Sequence, residues 1–280
     1  MTRNGRNGST PFRGTSSKRH GSLFSFTLAD IKMTDSTARF SDRVSDYIKY
    51  RPHYPPQIVD ILEHELKING KKIIADIGSG TGISSQPFLK KGYLVYGVEP
   101  NREMRQAAET LLKQHPNFIS IDGTAEQTNL QTHSIDVIFC GQAFHWFDKE
   151  KCKPEFWRIL SNNGNVVLAW NERSTKSAFQ QEYEQLLLNN IEEYKLVNHR
   201  NVDKKTIVDF FSPEKINHLI LDNRQFLNPE GLKGRLLSSS YCPKQGPVYI
   251  KLMKAVDVLF DKYQANGLIE FSYETKLYWA

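Results

Sequence analysis

Cysteine is scarce in this chain: Cys140, Cys152 and Cys242 are the only three in 280 residues. They are odd in number, far apart and form no CxxC pair. That argues against a disulfide framework and against a structural zinc site. A reducing compartment, the cytoplasm, is the simplest setting. No apolar run approaches the length needed to cross a bilayer, so a membrane span is not expected. No internal repeat and no metal-ligand cluster is visible, and no metal is expected.

Acidic residues are nearly missing from the first 32 positions, where Asp30 stands alone against Arg3, Arg6, Arg13, Lys18, Arg19 and Lys32. The whole chain carries +6, and this segment holds most of the excess. The remainder, with 31 basic and 30 acidic residues, is close to neutral. It offers no broad electrostatic footprint for a phosphate backbone, so nucleic acid is not an expected partner. Residues 1–33 are rich in Ser, Gly, Arg and Asn without a sustained apolar period, which predicts a disordered basic extension. An organelle transit peptide fits that composition. The plainer readings are a leader or an overextended start, with Met33 as the natural beginning.

From residue 34 onward the pattern alternates helix and strand. A helix is expected over "PPQIVDILEHEL", where Ile58, Val59, Ile61, Leu62 and Leu66 fall mostly on one face. Buried strands follow at "KIIADIG", "YLVYGVE", "FISID", "IDVIFC" and "NVVLAW", the last entered through an "NNG" turn. Between them lie a short helix interrupted by Pro87, a helix capped by Asn101, and a helix over "DKEKCKPEFWRILS" with Cys152, Phe156, Ile159 and Leu160 inward. After Trp170 the rhythm changes to amphipathic helices, with a strand at "INHLILDNRQFL" and a terminal strand. In that terminal strand Ile269, Phe271, Tyr273, Thr275, Leu277 and Trp279 share a face. The expected fold is α/β: a doubly wound, seven-stranded sheet, mostly parallel with an antiparallel terminal strand, plus a helical cap from residues 171–215 and 228–267. In such a sheet ligands bind at the carboxyl ends of the strands, near the switch in strand order.

That end of the first strand reads "IIADIGSGTG". A triphosphate loop would need GxxxxGK[ST], and no lysine follows these glycines until Lys90. The dinucleotide fingerprint GxGxxG fits at Gly78 and Gly80, but its third position is Ile83 and Gly82 comes one residue early. The GxGxG spacing therefore disfavours a nicotinamide oxidoreductase without excluding it. The second strand ends at Glu99, where a carboxylate can accept both hydroxyls of a ribose. The plainer role for Glu99 is a partner for the positive end of the helix beginning at Asn101.

Taken together, "DIGSGTG", "GVEPN", "GTAEQTNL" and "SIDVIFCGQAFHWFD" resemble the class I S-adenosylmethionine-dependent methyltransferases. Within them they resemble the methyltransferase-11-like subgroup related to trans-aconitate methyltransferase. "YIKYRPHYPPQIVDIL", "GLKGRLLSSSYCP" and "FSYETKLYWA" extend the resemblance over residues 37–280. It implies a Rossmann-like domain over 34–280, S-adenosylmethionine as cofactor, and a glycine stretch that cradles it. Gly78 and Gly80 would pass close to the methionine part, and Asp76 would face its ammonium. Glu99 would hold the ribose, with Pro100 and Asn101 shaping the adenine edge. Many relatives place Asp where Thr124 stands, so backbone at Thr124 and Ala125 is expected to carry more of the adenine contact. Gly141 and Gln142 would meet the methionine end through their backbone.

"AFHWF" would wall the transfer site, since aromatic faces suit a sulfonium. For Phe144, Trp146 and Phe147 the alternative is plain packing, expected of at least one. The acceptor is expected to meet Tyr47, Arg51, His145 and Trp146. His145 is the candidate catalytic group, as a base or hydrogen-bond partner, with a plain loop histidine as the alternative. Arg51 suits a carboxylate on either cofactor or substrate, or stands as a surface residue. The expected reaction is methyl transfer to a small molecule, with a carboxylate-bearing metabolite as the first guess, by a monomer or homodimer. A protein that binds S-adenosylmethionine for regulation, without transferase activity, is the alternative from a different class.

Overall fold

The computed structural model describes residues 44–197 and 204–280. The expected extension over 1–33 lies outside them. Helices α1 (Val44–Tyr50) and α2 (Ile58–Leu66) precede β1 (Ile73–Ile77), α3 (Ser85–Lys90), β2 (Leu94–Val98), α4 (Arg102–Leu111), β3 (Phe118–Ile121) and β4 (Ile135–Gly141). Then come α5 (Lys149–Ile159), β5 (Leu160–Arg173), α6 (Ala178–Asn190), α7 (Glu192–Val197) and α8 (Lys204–Phe211). The chain closes with β6 (Asn217–Leu227), α9 (Pro229–Leu237), α10 (Gly246–Tyr263) and β7 (Ile269–Trp279).

The seven strands form one sheet in the order β3-β2-β1-β4-β5-β7-β6. The first five are parallel, and β7 is antiparallel to both β5 and β6. Alternation along the central strands explains the layers. Ala75, Ile138 and Cys140 point into one core with Phe156 and Ile159 of α5, whereas Ile74, Val137 and Phe139 point into the other with Ile58 and Leu62 of α2. Both faces of the sheet are therefore covered. A third core lies in the cap, where Tyr183 and Leu187 of α6, Leu232 and Leu236 of α9 and Val256 of α10 meet Phe271 and Tyr273 of β7. The expected inward face of β7 is buried at all six positions.

Three expectations are corrected. Leu160 does not continue α5: its backbone is extended (ψ 135°) and it pairs with Ile135, so β5 begins there. The "NNG" stretch lies inside β5, where the pairing jumps from Ile135–Leu160 to Val137–Asn165 and the extra residues are taken up as an irregularity. Pro87 does not interrupt α3, because it sits in the first helical turn, where its missing N–H would have no intrahelical partner. The helix α8 differs from the other cap helices: Ile207, Phe210 and Phe211 join the sheet-face core rather than the cap core. Among the described residues no helix is long and apolar enough to cross a membrane.

Candidate functional site

The sheet order places β1 between β2 and β4, and the chain reverses its direction of sheet growth there. This is the switch point where a crevice opens beyond the strand ends. Asp76 stands near the end of β1, in register with Gly97 of β2 and Phe139 of β4. The turn that follows needs left-handed backbone at Gly78 and Gly80, with φ of 71° and 54°. A Cβ on Gly78 would lie 2.5 Å from that of Ala143, so the turns after β1 and β4 touch there. A Cβ on Gly80 would meet nothing within 4 Å, so that residue borders open space. A Cβ on Gly82 would lie 2.5 Å from the Leu112 side chain. Gly82 thus has the packing role that a third glycine has in a dinucleotide turn, reached one residue earlier.

Two carboxylates flank this turn. Asp76 is fully buried; its Oδ2 accepts from Ser84 Oγ at 2.7 Å and Ser85 Oγ at 2.6 Å, while Oδ1 has no partner. Burial pushes its carboxyl up to about 6, against the two serine hydrogen bonds and with a smaller push from Glu99. Glu99 is held by backbone: Oε2 accepts from Gly80 N at 3.0 Å and Oε1 from Asn101 N at 2.9 Å. Burial raises its carboxyl as well, and those two bonds oppose the rise. Glu99 therefore fixes the glycine turn and the start of α4. Each oxygen has a second lone pair for a ligand. Asn101 caps α4 as expected, accepting from Met104 N at 2.9 Å.

A cavity of about 210 Å³ brings together Gly78, Gly80, Glu99, Pro100, Asn101, Thr124, Ala125 and Gln142, with Tyr47 and Trp146 at its wall. Thr124 closes its own turn: its N donates to Gln127 O at 2.9 Å and its Oγ1 accepts from Gln127 N at 3.1 Å. Gln142 has φ 59°, its N donates to Ala169 O at 2.9 Å, and its side-chain amide donates to Asn171 O at 3.1 Å. A smaller cavity shares Tyr47, Gly78, Gly141 and Gln142 and adds Arg51, Tyr54 and Ser84. The Tyr54 hydroxyl is buried without a hydrogen-bond partner. Arg51 lies over the Tyr47 ring, 4.8 Å from its centroid, and its Nη2 donates to Ser238 O at 2.8 Å.

The aromatic run after β4 divides its labour. Phe144 is fully buried and packs edge-on against Trp170 and Phe210, so it is core. Trp146 and Phe147 line the larger cavity. His145 lines neither cavity and sits 4.8 Å from the Trp146 ring. Burial, then the charges of Lys149 and Arg51, push its imidazole down to about 3. It is neutral at physiological pH and a weak base.

Sequence reasoning missed the serines bracing Asp76, although "GISS" directly follows the glycines. It also missed Asn171, whose Nδ2 donates to His53 O at 3.3 Å while its Oδ1 accepts from Thr275 Oγ1 at 2.5 Å. That side chain ties the segment after α1 to β7, and no local pattern announces it. Among the described residues no group of three or more His, Cys, Asp or Glu is placed to hold a metal ion.

These residues suit a ligand with an ammonium, a ribose and a flat base: an unpartnered buried carboxylate oxygen, a second carboxylate one strand over, and an open glycine turn between them. Comparison with known proteins points the same way. A family model described as a methyltransferase domain matches residues 75–168. An uncharacterized methyltransferase of Schizosaccharomyces pombe is 35% identical over 154 residues, covering 53% of this chain and 58% of that protein. The chain thus spans little more than half the length of that relative. An uncharacterized methyltransferase of Mycobacterium tuberculosis is 28% identical over 208 residues, 74% of this chain and 79% of that protein. A solved structure from Anabaena variabilis, assigned as a methyltransferase of an antibiotic biosynthesis pathway, shares the fold. It has a TM-score of 0.59 and 21% identity, and covers 83% of this chain and 98% of that one. Residues 75–168 thus match a methyltransferase domain, and they lie within a seven-stranded Rossmann-like sheet.

Proposed function

We propose that this protein catalyses methyl transfer from S-adenosylmethionine to a small acceptor that carries a carboxylate. The observation that carries the reading is the pair of acids at the switch point, the buried Asp76 with its unpartnered Oδ1 and the half-buried Glu99 at the tip of the neighbouring strand. When bound, S-adenosylmethionine supplies a methyl group already activated on a sulfonium.

The chain's own residues would bind, orient and exclude water. Asp76 Oδ1 would accept from the amino-acid ammonium and Glu99 from the ribose hydroxyls. Gly78 and Gly80 would let the backbone close on the ligand, and Pro100, Asn101 and Ala125 would border the base. At Thr124 the backbone N and the hydroxyl are both engaged in the local turn, which moves weight in this reading to Ala125. Arg51, on the smaller cavity beside Gly78 and Gly141, suits the carboxylate at the amino-acid end of the same ligand. Tyr47 and Trp146 would wall the side where the acceptor enters. His145, which lines neither cavity and is neutral and weakly basic, would not strip a proton from the acceptor. That favours a nucleophile already anionic, as a carboxylate is.

The test pairs calorimetry with a transfer assay. S-adenosylhomocysteine should bind and NAD should not; tritium from labelled S-adenosylmethionine should pass to members of a library of small organic acids. Tight NAD binding with no S-adenosylhomocysteine binding would overturn the reading. Binding without transfer to any acid would leave the cofactor and remove the acceptor class.

A further inference from the structure

Strand β6 closes one side of the sheet, and among the described residues only β7 pairs with it, so its outer edge is open. It is 11 residues long, and its register with β7 is unbroken from Asn217–Trp279 to Leu227–Ile269. The opposite edge of the sheet, β3, has 4 residues. A long open edge is a template for another strand, and folded proteins usually blunt one with lysine, proline or a bulge. The sequence of β6, "NHLILDNRQFL", has no lysine and no proline, and its pairing has no bulge.

The backbone groups that face outward can be assigned. Ser174 N donates to Ser272 O at 3.0 Å, so the polar backbone of Ser272 faces β5. Its neighbour on β6, Arg224, therefore turns its own N–H and C=O away from β7. Alternation does the same at Ile220, Asp222 and Phe226. Arg224 N meets the side chain of the adjacent residue, Asn223 Oδ1, at 2.9 Å, a bond that a new strand would exchange for its own. The side chains of Ile220, Asp222, Arg224 and Phe226 share one face and are all exposed, Ile220 at 51% and Phe226 at 58%. Asn223 and Gln225 point to the other face, where they donate to His53 O and Tyr50 O. The exposed face thus lies away from the segment that borders the smaller cavity.

This face is its own complement. In an antiparallel pairing of two copies of β6 about a two-fold axis through Asn223, Asp222 stands opposite Arg224 of the second copy, and Ile220 opposite its Phe226. The facing residues are those whose N–H and C=O point outward, so the ladder bonds form in the same register. Moving the axis to Asp222 or to Arg224 sets like charges face to face, which is destabilising. Moving it to Leu221 sets Asp222 against Ile220, and moving it to Gln225 sets Arg224 against Phe226. Among the described residues Asp222 has no ion pair within the chain, and Arg224 has a loose one with Glu270 at 4.0 Å.

We infer that β6 is a dimerisation edge: it pairs antiparallel with β6 of a second copy, centred on Asn223, and joins the two sheets across a two-fold axis. The occupant is a second copy because both the charges and the apolar side chains match under that symmetry. The inference is independent of the methyl-transfer reading.

Sedimentation velocity of the full chain in low-salt buffer, over a concentration series, tests it. The wild type should pass from one chain to two as concentration rises. Asp222→Arg and Arg224→Asp should each weaken the dimer by about tenfold or more, because each sets like charges opposite one another on both sides of the axis. An equimolar mixture of the two variants should recover a dimer of wild-type strength, since two arginines then face two aspartates. Recovery by mixing also shows that neither variant is misfolded. The inference is overturned if the wild type is a single chain throughout, if its dimer is indifferent to both single substitutions, or if the mixture associates no better than the variants alone.

Discussion

The glycine-turn end of the sheet and the cap beside it hold charge of opposite sign, and the longest chain separations between braced groups lie in the cap. At the turn the charges are acids. Asp76 is braced by serines eight and nine residues away, and Glu99 by backbone two and nineteen residues away. In the cap the charges are guanidiniums with partners both near and far: Arg173 meets the Glu184 carboxylate 11 residues on, and Arg235 meets the hydroxyls of Ser239 4 residues on and Tyr273 38 residues on. The bond from Arg51 reaches Ser238 across 187 residues, and Tyr50 reaches Glu230 across 180. A site braced locally leaves a motif that can be read along the chain; a site braced by distant strands and helices leaves none.

The largest effect should separate the paired from the unpaired guanidiniums. Glu184→Ala strands Arg173, which is 8% exposed, and should cost about 3–5 kcal/mol of stability, the usual result of removing one partner of a buried ion pair. Urea unfolding beside Arg235→Met checks it. Equal losses in the two variants would erase the distinction between matched and unmatched charge.

On the cofactor side, Glu99→Ala should weaken S-adenosylhomocysteine binding by about 1–3 kcal/mol. Calorimetry that finds the same Kd in variant and wild type removes Glu99 from the ribose and leaves it as a brace for Gly80 and α4.

The smallest effect is in the pH dependence of Asp76. Its folded value of about 6 lies above the ordinary 3.8, so the fold holds the proton more tightly than the unfolded chain does. Ligand-free stability should therefore fall as pH rises from about 4 to about 6, and level off above. The ionised acid is the form that can accept from an ammonium, so S-adenosylhomocysteine affinity should rise over the same interval, by up to about tenfold per pH unit below 6. Asp76→Asn should flatten both curves. A wild-type affinity that stays level between about pH 5 and pH 7 would separate Asp76 from the ammonium.

The turn side of this contrast is legible along the chain. The alternation of buried strands and amphipathic helices through residue 170, the Asn101 cap and the buried face of β7 follow from period and capping chemistry, which act over a few residues. The glycine turn and Glu99 are legible for the same reason: Glu99 lies only 19 residues from the Gly80 amide that it accepts. The start of β5 at Leu160 is not, because a helical face and a strand share that residue and only pairing with Ile135 decides between them. Phe144 and Trp146 show the same limit within three residues. Both are aromatic beside the expected site, yet Phe144 is claimed by Trp170 and Phe210 and Trp146 by the cavity.

What the sequence determined by itself is the set of local instructions: a glycine turn, the acids around it, and the alternation of strands and helices that sets them at strand ends. These rest on backbone conformation and hydrogen bonds between near neighbours, whose energies do not wait for the rest of the chain. What only the tertiary structure decided is the electrostatic state of the interior. Arg51, Arg173 and Arg235 are alike as letters. Only folding sets Arg173 against Glu184 and leaves the other two among neutral oxygens, because burial and the presence or absence of a carboxylate beside the guanidinium together fix what its charge costs.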